Sequence, residues 1–184
     1  MANTAQNMPR MTAEEFFRNS PETNQKQELL DGEIVAQASP SVWHQDICDG
    51  LCAALRSFVR QNGGKCRPFS ALLDVRLDDW NVVQPDVFVT CSPERLTEQY
   101  LNGAPDFVCE IASSNRSSDF DRKLWLYRRS GVREYWIIEP QTARVYVWYF
   151  AESSAPEVYD FHTPIPVRIW DGRLCITVSE LELT

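Results

Sequence analysis

The spacing of apolar residues along the chain predicts three helices. The longest follows Ser41, a residue type favoured at helix N-caps, and ends before Gly63-Gly64. The capping-box sequence Thr12-Ala13-Glu14-Glu15 predicts a short helix to about Asn19. A third helix is predicted over about 117–130. The apolar positions that recur at helical spacing in the longest helix are Ile47, Leu51, Ala54, Leu55 and Phe58.

Between and after these helices the apolar residues follow the pattern of β-strands. Asp31-Gly32 separates 27–30 from 33–36 and predicts a tight hairpin. Further strands are predicted at 71–77, 83–89, 107–112, 132–138 and 143–150, with weaker ones at 157–161 and 174–178. This order predicts a mixed α/β (α+β) fold, a central sheet with helices against it. We expect one domain over 1–184, with about 1–11 as an N-terminal extension.

Composition and charge narrow the possible functions. The 184 residues are 43% hydrophobic and carry a net charge of −8. So acidic a domain does not coat nucleic acid through charge alone, although it can still meet nucleic acid locally. The longest apolar run, Val145–Ala151, is far shorter than the roughly 20 residues of a membrane helix. The polar start of the chain has no apolar signal region, so we expect a cytoplasmic protein without membrane contact.

The six cysteines are scattered and form no C-x-x-C pair. Together with only two histidines, this spacing argues against a structural zinc site. We expect free thiols that pack as small hydrophobic side chains in a reducing cytosol. The cysteines are Cys48, Cys52, Cys66, Cys91, Cys109 and Cys175.

An acidic residue lies in each of three predicted strands that are rich in apolar residues. Glu110 lies within Phe107–Ala112, Asp86 follows Pro85, and Asp74 lies within the strand at 71–77. A buried carboxylate costs several kcal/mol unless it is paired, protonated or bound to a metal. Carboxylates that converge from neighbouring strands suit Mg²⁺ or Mn²⁺. The alternative is that each carboxylate pairs with an arginine or lies at a strand end in water.

Lysine is scarce in this chain, which contains fifteen arginines and three lysines. Lys123 lies in the third predicted helix, next to an apolar stripe and directly after the Glu110 strand. A lysine can serve there as a point charge and proton handler, which an always-protonated arginine does poorly. The alternative is an i,i+4 ion pair with Asp119, worth about 0.3–0.5 kcal/mol.

The order of several short motifs resembles one known family. The chain is similar to the Uma2 family, also called DUF820, whose restriction-endonuclease-like members are common in cyanobacteria and belong to the PD-(D/E)XK nuclease superfamily. The resemblance covers about 12–150, including 28–33 and the helix of His44. The motifs that carry it are Gln84-Pro85-Asp86, Pro105–Ser113, Asp119 with Lys123 and Tyr127, and Gly131–Ile138.

The resemblance implies roles for particular residues. Asp86 corresponds to the aspartate of the first half-motif and Glu110 to the acidic residue of the second, both as metal ligands. The usual lysine of the superfamily would stand at Ala112, so Lys123 resembles a relocated catalytic lysine. For His44 the alternative is a helix-start residue satisfied by local hydrogen bonds. The auxiliary candidates are Glu28, His44 and Asp74.

The chemistry implied by this resemblance is metal-assisted hydrolysis of DNA phosphodiester bonds. Asp86, Glu110 and the backbone carbonyl of Ile111 would hold one or two Mg²⁺ or Mn²⁺ ions, and Lys123 would orient or help deprotonate a water. The alternative is an interaction module that keeps the nuclease fold but has lost its activity. A small-molecule phosphodiesterase is a third class that the sequence does not separate from a nuclease.

The late hairpin is rich in large side chains. If both of its faces are apolar, a second subunit could cover one of them, and the expectation is a homodimer. The alternative is that these side chains, which lie in 136–138 and 145–150, are core residues of one chain.

Overall fold

The computed structural model describes residues 10–19, 26–37, 39–112 and 119–181. Three α-helices lie in these ranges, α1 (Ala13–Asn19), α2 (Val42–Asn62) and α3 (Asp119–Ser130). The strands are β1 (Gln27–Leu30), β2 (Glu33–Ala36), β3 (Arg67–Ser70), β4 (Asp74–Asp78), β5 (Asn81–Val83), β6 (Val87–Thr90), β7 (Tyr100–Asn102), β8 (Phe107–Ile111), β9 (Glu134–Glu139), β10 (Arg144–Tyr149), β11 (Glu157–Asp160), β12 (Ile165–Pro166) and β13 (Cys175–Ile176).

The strands form two large sheets and one small one. The first has five strands in the order β2-β1-β5-β4-β7, and the second has six in the order β11-β10-β9-β8-β6-β3. Strands β12 and β13 pair separately. In the six-stranded sheet β8 and β9 run parallel, as expected for strands joined through a helix, whereas β9 and β10 form an antiparallel hairpin. The mixed α/β class is confirmed, with two large sheets instead of one.

The second large sheet arises because one predicted strand is split. The run expected at 83–89 ends at Val83 in β5 and resumes at Val87 in β6, in the other sheet. Pro85 has no N–H to donate to a ladder and separates the two strands. Asp86 therefore lies where the chain passes from one sheet to the other. The strand predicted at 71–77 likewise begins only at Asp74.

The local signals at the element ends are confirmed. Thr12 and Glu15 exchange the two hydrogen bonds of a capping box at the start of α1. The Ser41 hydroxyl accepts from the N–H of His44 at the start of α2. Asp31 and Gly32 have φ values of 50° and 82° and form the turn between β1 and β2. The predicted start of the third helix, Ser117, lies outside the described residues.

Two apolar clusters cover the two faces of the six-stranded sheet. On one face α2 and the C-terminal strands pack against β8, β9 and β10, with Leu51, Trp136 and Val147 among the buried residues. On the other face α3 and the five-stranded sheet pack against the same strands through residues such as Tyr127 and Tyr135. Among the functional candidates, Glu28, Glu110 and Lys123 lie on β1, β8 and α3, between the two large sheets, whereas His44 reaches Asp86 from α2.

The aromatic hairpin β9–β10 lies within this core. All six residues of β9 are buried, and the large side chains of both strands divide between the two clusters. Both faces are therefore covered by the chain itself, as the core interpretation expected. None of the described helices is long and apolar enough to cross a membrane.

The expectation that all cysteines are free is wrong for two of them. Cys66 and Cys91 form a disulfide. In the antiparallel pairing of β3 with β6, Arg67 lies opposite Thr90. Cys66 directly precedes Arg67 and Cys91 directly follows Thr90, so the two cysteines also lie opposite each other. A separation of 25 residues hides this pairing in the sequence. The other four cysteines are free, three of them buried.

Candidate functional site

Asp86 is a buried carboxylate at the junction of the two sheets, with contacts to three other residues. Its Oδ1 accepts from Nζ of Lys26 at 2.9 Å. Its Oδ2 accepts from the backbone N–H of Ile111 at 2.8 Å and lies 3.1 Å from Nε2 of His44. Although burial by itself raises the pKa, His44 and Lys26 hold the pKa of Asp86 well below its usual range. Asp86 is therefore an ionised carboxylate at neutral pH.

Lys123 joins two other buried carboxylates. Its Nζ lies 2.9 Å from Oε1 of Glu28 and 3.0 Å from Oε1 of Glu110. Burial disfavours the ammonium, but the charges of Glu110 and Glu28 outweigh it and raise the pKa of Lys123. The side chain is 7% exposed and α3 directs it into the core. Lys123 therefore remains a cation held between β1 and β8.

Glu110 also accepts a hydrogen bond of 2.7 Å from the hydroxyl of Tyr127, one turn after Lys123 on the same face of α3. Both contacts to described side chains end on the same oxygen, Oε1. Burial raises the pKa of Glu110 and the ammonium of Lys123 opposes this. The adjacent N–H of Ile111 binds Asp86, so strand β8 connects the two carboxylates directly.

Two glutamines extend this network around Glu28. Gln37 donates to its Oε2 at 2.8 Å, and the backbone N–H of Gln84 donates to its Oε1 at 2.9 Å. The side chain of Gln84 donates to Asp74, and burial raises the pKa of Asp74. The amide oxygen of Gln84 is buried and has no hydrogen-bond partner among the described residues. The site thus contains a buried acceptor that the described residues leave unsatisfied.

His44 connects the site to a thiol. Its Nε2 faces Asp86, and its Nδ1 lies 3.5 Å from Sγ of Cys48, one turn further along α2. Burial and the charge of Asp86 raise the pKa of the Cys48 thiol, so Cys48 is a thiol at neutral pH.

Comparison with known proteins identifies the family. The Uma2 family, described as "Putative restriction endonuclease", matches residues 13–167. The chain belongs to the Uma2 family. This Uma2 chain is also similar to a crystal structure of a "putative nuclease belonging to DUF820 from Anabaena variabilis ATCC 29413". The two chains are 23% identical, the match covers 93% of this chain and 97% of that one, and the TM-score is 0.78. This likeness shows a nuclease fold. None of the curated proteins compared with this chain matches it.

The fold brings the residues predicted for this Uma2 chain to one place. Glu28 lies on a hairpin strand and, with Glu110, contacts Lys123, whereas His44 contacts Asp86. Lys123 pairs with both of these glutamates. The alternative was an i,i+4 ion pair with Asp119, and the side chain of Asp119 lies outside the described part of the structure. Asp74 joins the network through Gln84 and is more exposed than the other acids. Their functional roles remain predictions.

Sequence reasoning assigned no role to four of the contacting residues. Lys26 precedes Glu28 by two positions, the spacing of one strand face. Tyr127 follows Lys123 by four positions, the spacing of one helix face. These spacings were available signals. Gln37 and Gln84, by contrast, enter the site through strand pairing that the sequence does not specify.

Proposed function

We propose that this protein is a metal-dependent endonuclease that hydrolyses phosphodiester bonds of DNA. Asp86 and Glu110 are the metal ligands in this proposal, and Lys123 is the relocated catalytic lysine. The observation that carries the proposal is the cluster of buried carboxylates and lysines at the junction of two sheets. Family membership supports the same class of reaction.

The side chains present fit a hard divalent cation. Three carboxyl groups, those of Glu28, Asp86 and Glu110, face two ammonium groups, so the acidic groups of the cluster outnumber the basic ones by one. The unsatisfied amide oxygen of Gln84 is a further hard donor. Oxygen donors of this kind suit Mg²⁺ or Mn²⁺.

Asp86, Glu110 and the carbonyl of Ile111 would hold this ion. When bound, it supplies Lewis-acid polarisation of a phosphate oxygen and a lower pKa for a coordinated water. Lys26 must release Oδ1 of Asp86 for the ion to bind there. Its side chain is 17% exposed, which gives the ammonium a path toward solvent.

Lys123 acts as a charge and as a hydrogen-bond donor. An ammonium with a raised pKa has no lone pair to accept a proton at neutral pH. Of the two roles considered for Lys123, orienting water and deprotonating it, only the first agrees with this protonation state. Its fixed position between Glu28 and Glu110 also lets it offset charge that develops on the phosphate.

DNA binding by this protein is expected to be weak without the metal. The net charge is −8. Basic residues on and after α2 and on α3 are candidate DNA contacts, but two of these arginines are engaged within the protein. Arg122 binds Asp31 and the carbonyl of Leu30, and Arg129 lies 3.4 Å from Asp31. The exposed candidates that remain are Arg60, Lys65 and Arg67, on and after α2, and Arg128 on α3.

A nicking assay tests the proposal. Wild-type protein should relax supercoiled plasmid in Mg²⁺ or Mn²⁺ and lose this activity in EDTA. The isosteric Asp86→Asn should reduce the rate about a hundredfold or more, since loss of a ligand exceeds the 10–100-fold effect of removing outer partners. Glu134→Gln, at a buried carboxylate outside the site, is the matched control and should retain activity.

Equal rates for wild type and Asp86→Asn would contradict the proposal and favour the alternative, an interaction module without activity. The position of Lys26 on Asp86 is the observation that favours this alternative, because an ammonium already neutralises the expected metal ligand.

Homodimerisation remains a separate proposal. Cleavage of both strands of a duplex needs two sites, which a pair of chains would supply. Light scattering should give about twice the chain mass of 21.2 kDa. A mass equal to one chain at assay concentration would contradict the dimer without affecting the proposed chemistry.

A further inference from the structure

The proposed hydrolysis leaves one reactive group at the site unused. Cys48 lies directly behind His44, at the i,i+4 spacing that places both on one face of α2. Its thiol is buried, at 3% exposure, and is 3.5 Å from Nδ1 of His44. The other nitrogen of the same ring lies 3.1 Å from Asp86. The His44 ring therefore contacts a sulfur donor through one nitrogen and an oxygen donor through the other.

The spacing of these donors suits a small tetrahedral ion. One ligand atom from each of His44, Cys48 and Asp86 can be chosen so that all three atoms lie within 4.8 Å of one another. In the described ranges no other group of three His, Cys, Asp or Glu residues meets this criterion. Zinc bonds of about 2.0–2.3 Å imply ligand separations of roughly 3.5 Å in a tetrahedron. The sulfur-to-nitrogen distance already has this length. Modest rotation of the His44 ring and the Asp86 carboxylate would close the rest.

The donor types select a different metal from the proposed catalytic one. Thiolate and imidazole favour Zn²⁺ and its close relative Co²⁺, whereas Mg²⁺ prefers oxygen alone. Three protein ligands and one open position also match an ion that reaches a site from solvent. The His44 side chain is 18% exposed and provides that access.

We propose that His44, Cys48 and Asp86 form a second metal site, specific for thiophilic divalent ions such as Zn²⁺, that competes with the catalytic ion for Asp86. Binding replaces the proton of the Cys48 thiol, which passes to solvent, and leaves a water on the fourth position. The binding part stands without the proposed nuclease activity. The inhibitory part rests on that activity, because Zn²⁺ would then block hydrolysis by occupying Asp86.

Cobalt spectroscopy tests the binding directly. In a Cys175→Ser background, which removes the exposed free thiol, one equivalent of Co²⁺ should give a thiolate-to-metal charge-transfer band in the near ultraviolet. Added Zn²⁺ should displace the Co²⁺ and abolish the band. Cys48→Ser should remove the band and weaken binding at least tenfold. Cys52→Ser is the matched control, since Cys52 is a buried thiol one turn further along α2, and should retain the band.

His44→Ala keeps the result interpretable if Cys48→Ser folds poorly. His44 is partly exposed, so its truncation should leave the circular dichroism spectrum unchanged while it weakens Co²⁺ binding by a similar factor. A wild-type protein without the band, or a band of equal strength in folded Cys48→Ser, would overturn the proposal.

An activity measurement separates this proposal from the nuclease proposal. In excess Mg²⁺, Zn²⁺ should inhibit nicking by wild type at a concentration at least tenfold lower than it inhibits Cys48→Ser, each relative to its own uninhibited rate. A charge-transfer band in a protein without nicking activity would refute the nuclease and keep the metal site. Nicking activity without the band would do the reverse.

Discussion

Two buried glutamates on neighbouring parallel strands have opposite surroundings. Glu110 on β8 contacts the ammonium of Lys123 and the hydroxyl of Tyr127. Glu134 on β9 accepts instead from two neutral donors, the indole N–H of Trp136 at 2.7 Å and the backbone N–H of Ile169 at 2.9 Å. The first carboxylate contacts a charged group, and the second fastens the C-terminal segment to the sheet.

The two environments treat charge differently. The hydrogen bonds that Glu134 accepts do not offset the effect of burial, which raises the pKa of Glu134 to about 7. Around Glu110 the two glutamates raise the pKa of Lys123 so that the lysine stays charged. Burial alone therefore does not mark a functional carboxylate. The environment of Glu110 differs from that of Glu134 because it contains a compensating cation, Lys123. In the proposed function a metal ion can displace such a cation, and a phosphate group can bind to it.

The largest effect should follow from removing the central cation. Lys123→Met leaves Glu28 and Glu110 buried without their ammonium, which should lower the free energy of unfolding by about 3–5 kcal/mol at pH 7. The loss should be smaller at pH 5, because the unpaired carboxylates then take up protons in the folded state. Urea unfolding at both pH values measures it.

The exposed Lys65 supplies the matched control, and Lys65→Met should change stability by less than about 0.5 kcal/mol. A loss below about 1 kcal/mol for Lys123→Met would show that the two glutamates do not depend on this ion pair.

A smaller effect on the free energy of unfolding is expected from Glu134, and this effect should depend on pH. The folded-state pKa of Glu134 exceeds its ordinary value of 4.5, so the protonated group stabilises the fold below that value. This contribution is lost as pH rises through about 7. Relative to Glu134→Gln, the wild type should lose about 2–3 kcal/mol of stability between pH 5 and pH 8.

Parallel pH dependences of unfolding in wild type and Glu134→Gln would contradict this assignment. The variant itself should be somewhat less stable at pH 5, since an amide offers one acceptor oxygen where the acid offers two to Trp136 and Ile169.

The smallest effect concerns the second cation of the site. Lys26 occupies the Asp86 oxygen that the proposed metal needs. Lys26→Met should therefore strengthen Mn²⁺ binding about tenfold, equivalent to about 1.4 kcal/mol. Calorimetric titration of both proteins with Mn²⁺ measures the change. Weaker binding in the variant would mean that Lys26 supports the ion instead of competing with it.

Local sequence signals predicted the element ends reliably. The capping box of α1, the Ser41 cap of α2 and the Asp31-Gly32 hairpin are all confirmed. Each depends on contacts between residues a few positions apart, so nearby sequence contains all the information needed. The strands at 107–112 and 143–150 were also predicted because their apolar runs are long.

Errors arose where distant residues decide the outcome. The strand predicted at 83–89 is divided between two sheets, and β3 and β7 had no distinct signal. The Cys66–Cys91 disulfide follows from the pairing of β3 with β6. Pairing of this kind depends on which strands become neighbours, a choice made by long-range packing.

The sequence by itself determined that Asp86, Glu110 and Lys123 stand out, because charged residues beside apolar runs cost free energy unless they have partners. It did not determine those partners. Only the tertiary structure placed Glu28 against Lys123, set Lys26 on Asp86, and brought Cys48 behind His44. An apolar neighbourhood in the sequence predicts that a charged residue will be buried and will lose its hydration. The partners that offset this loss come from separate strands and helices, so only the packing of these elements determines them.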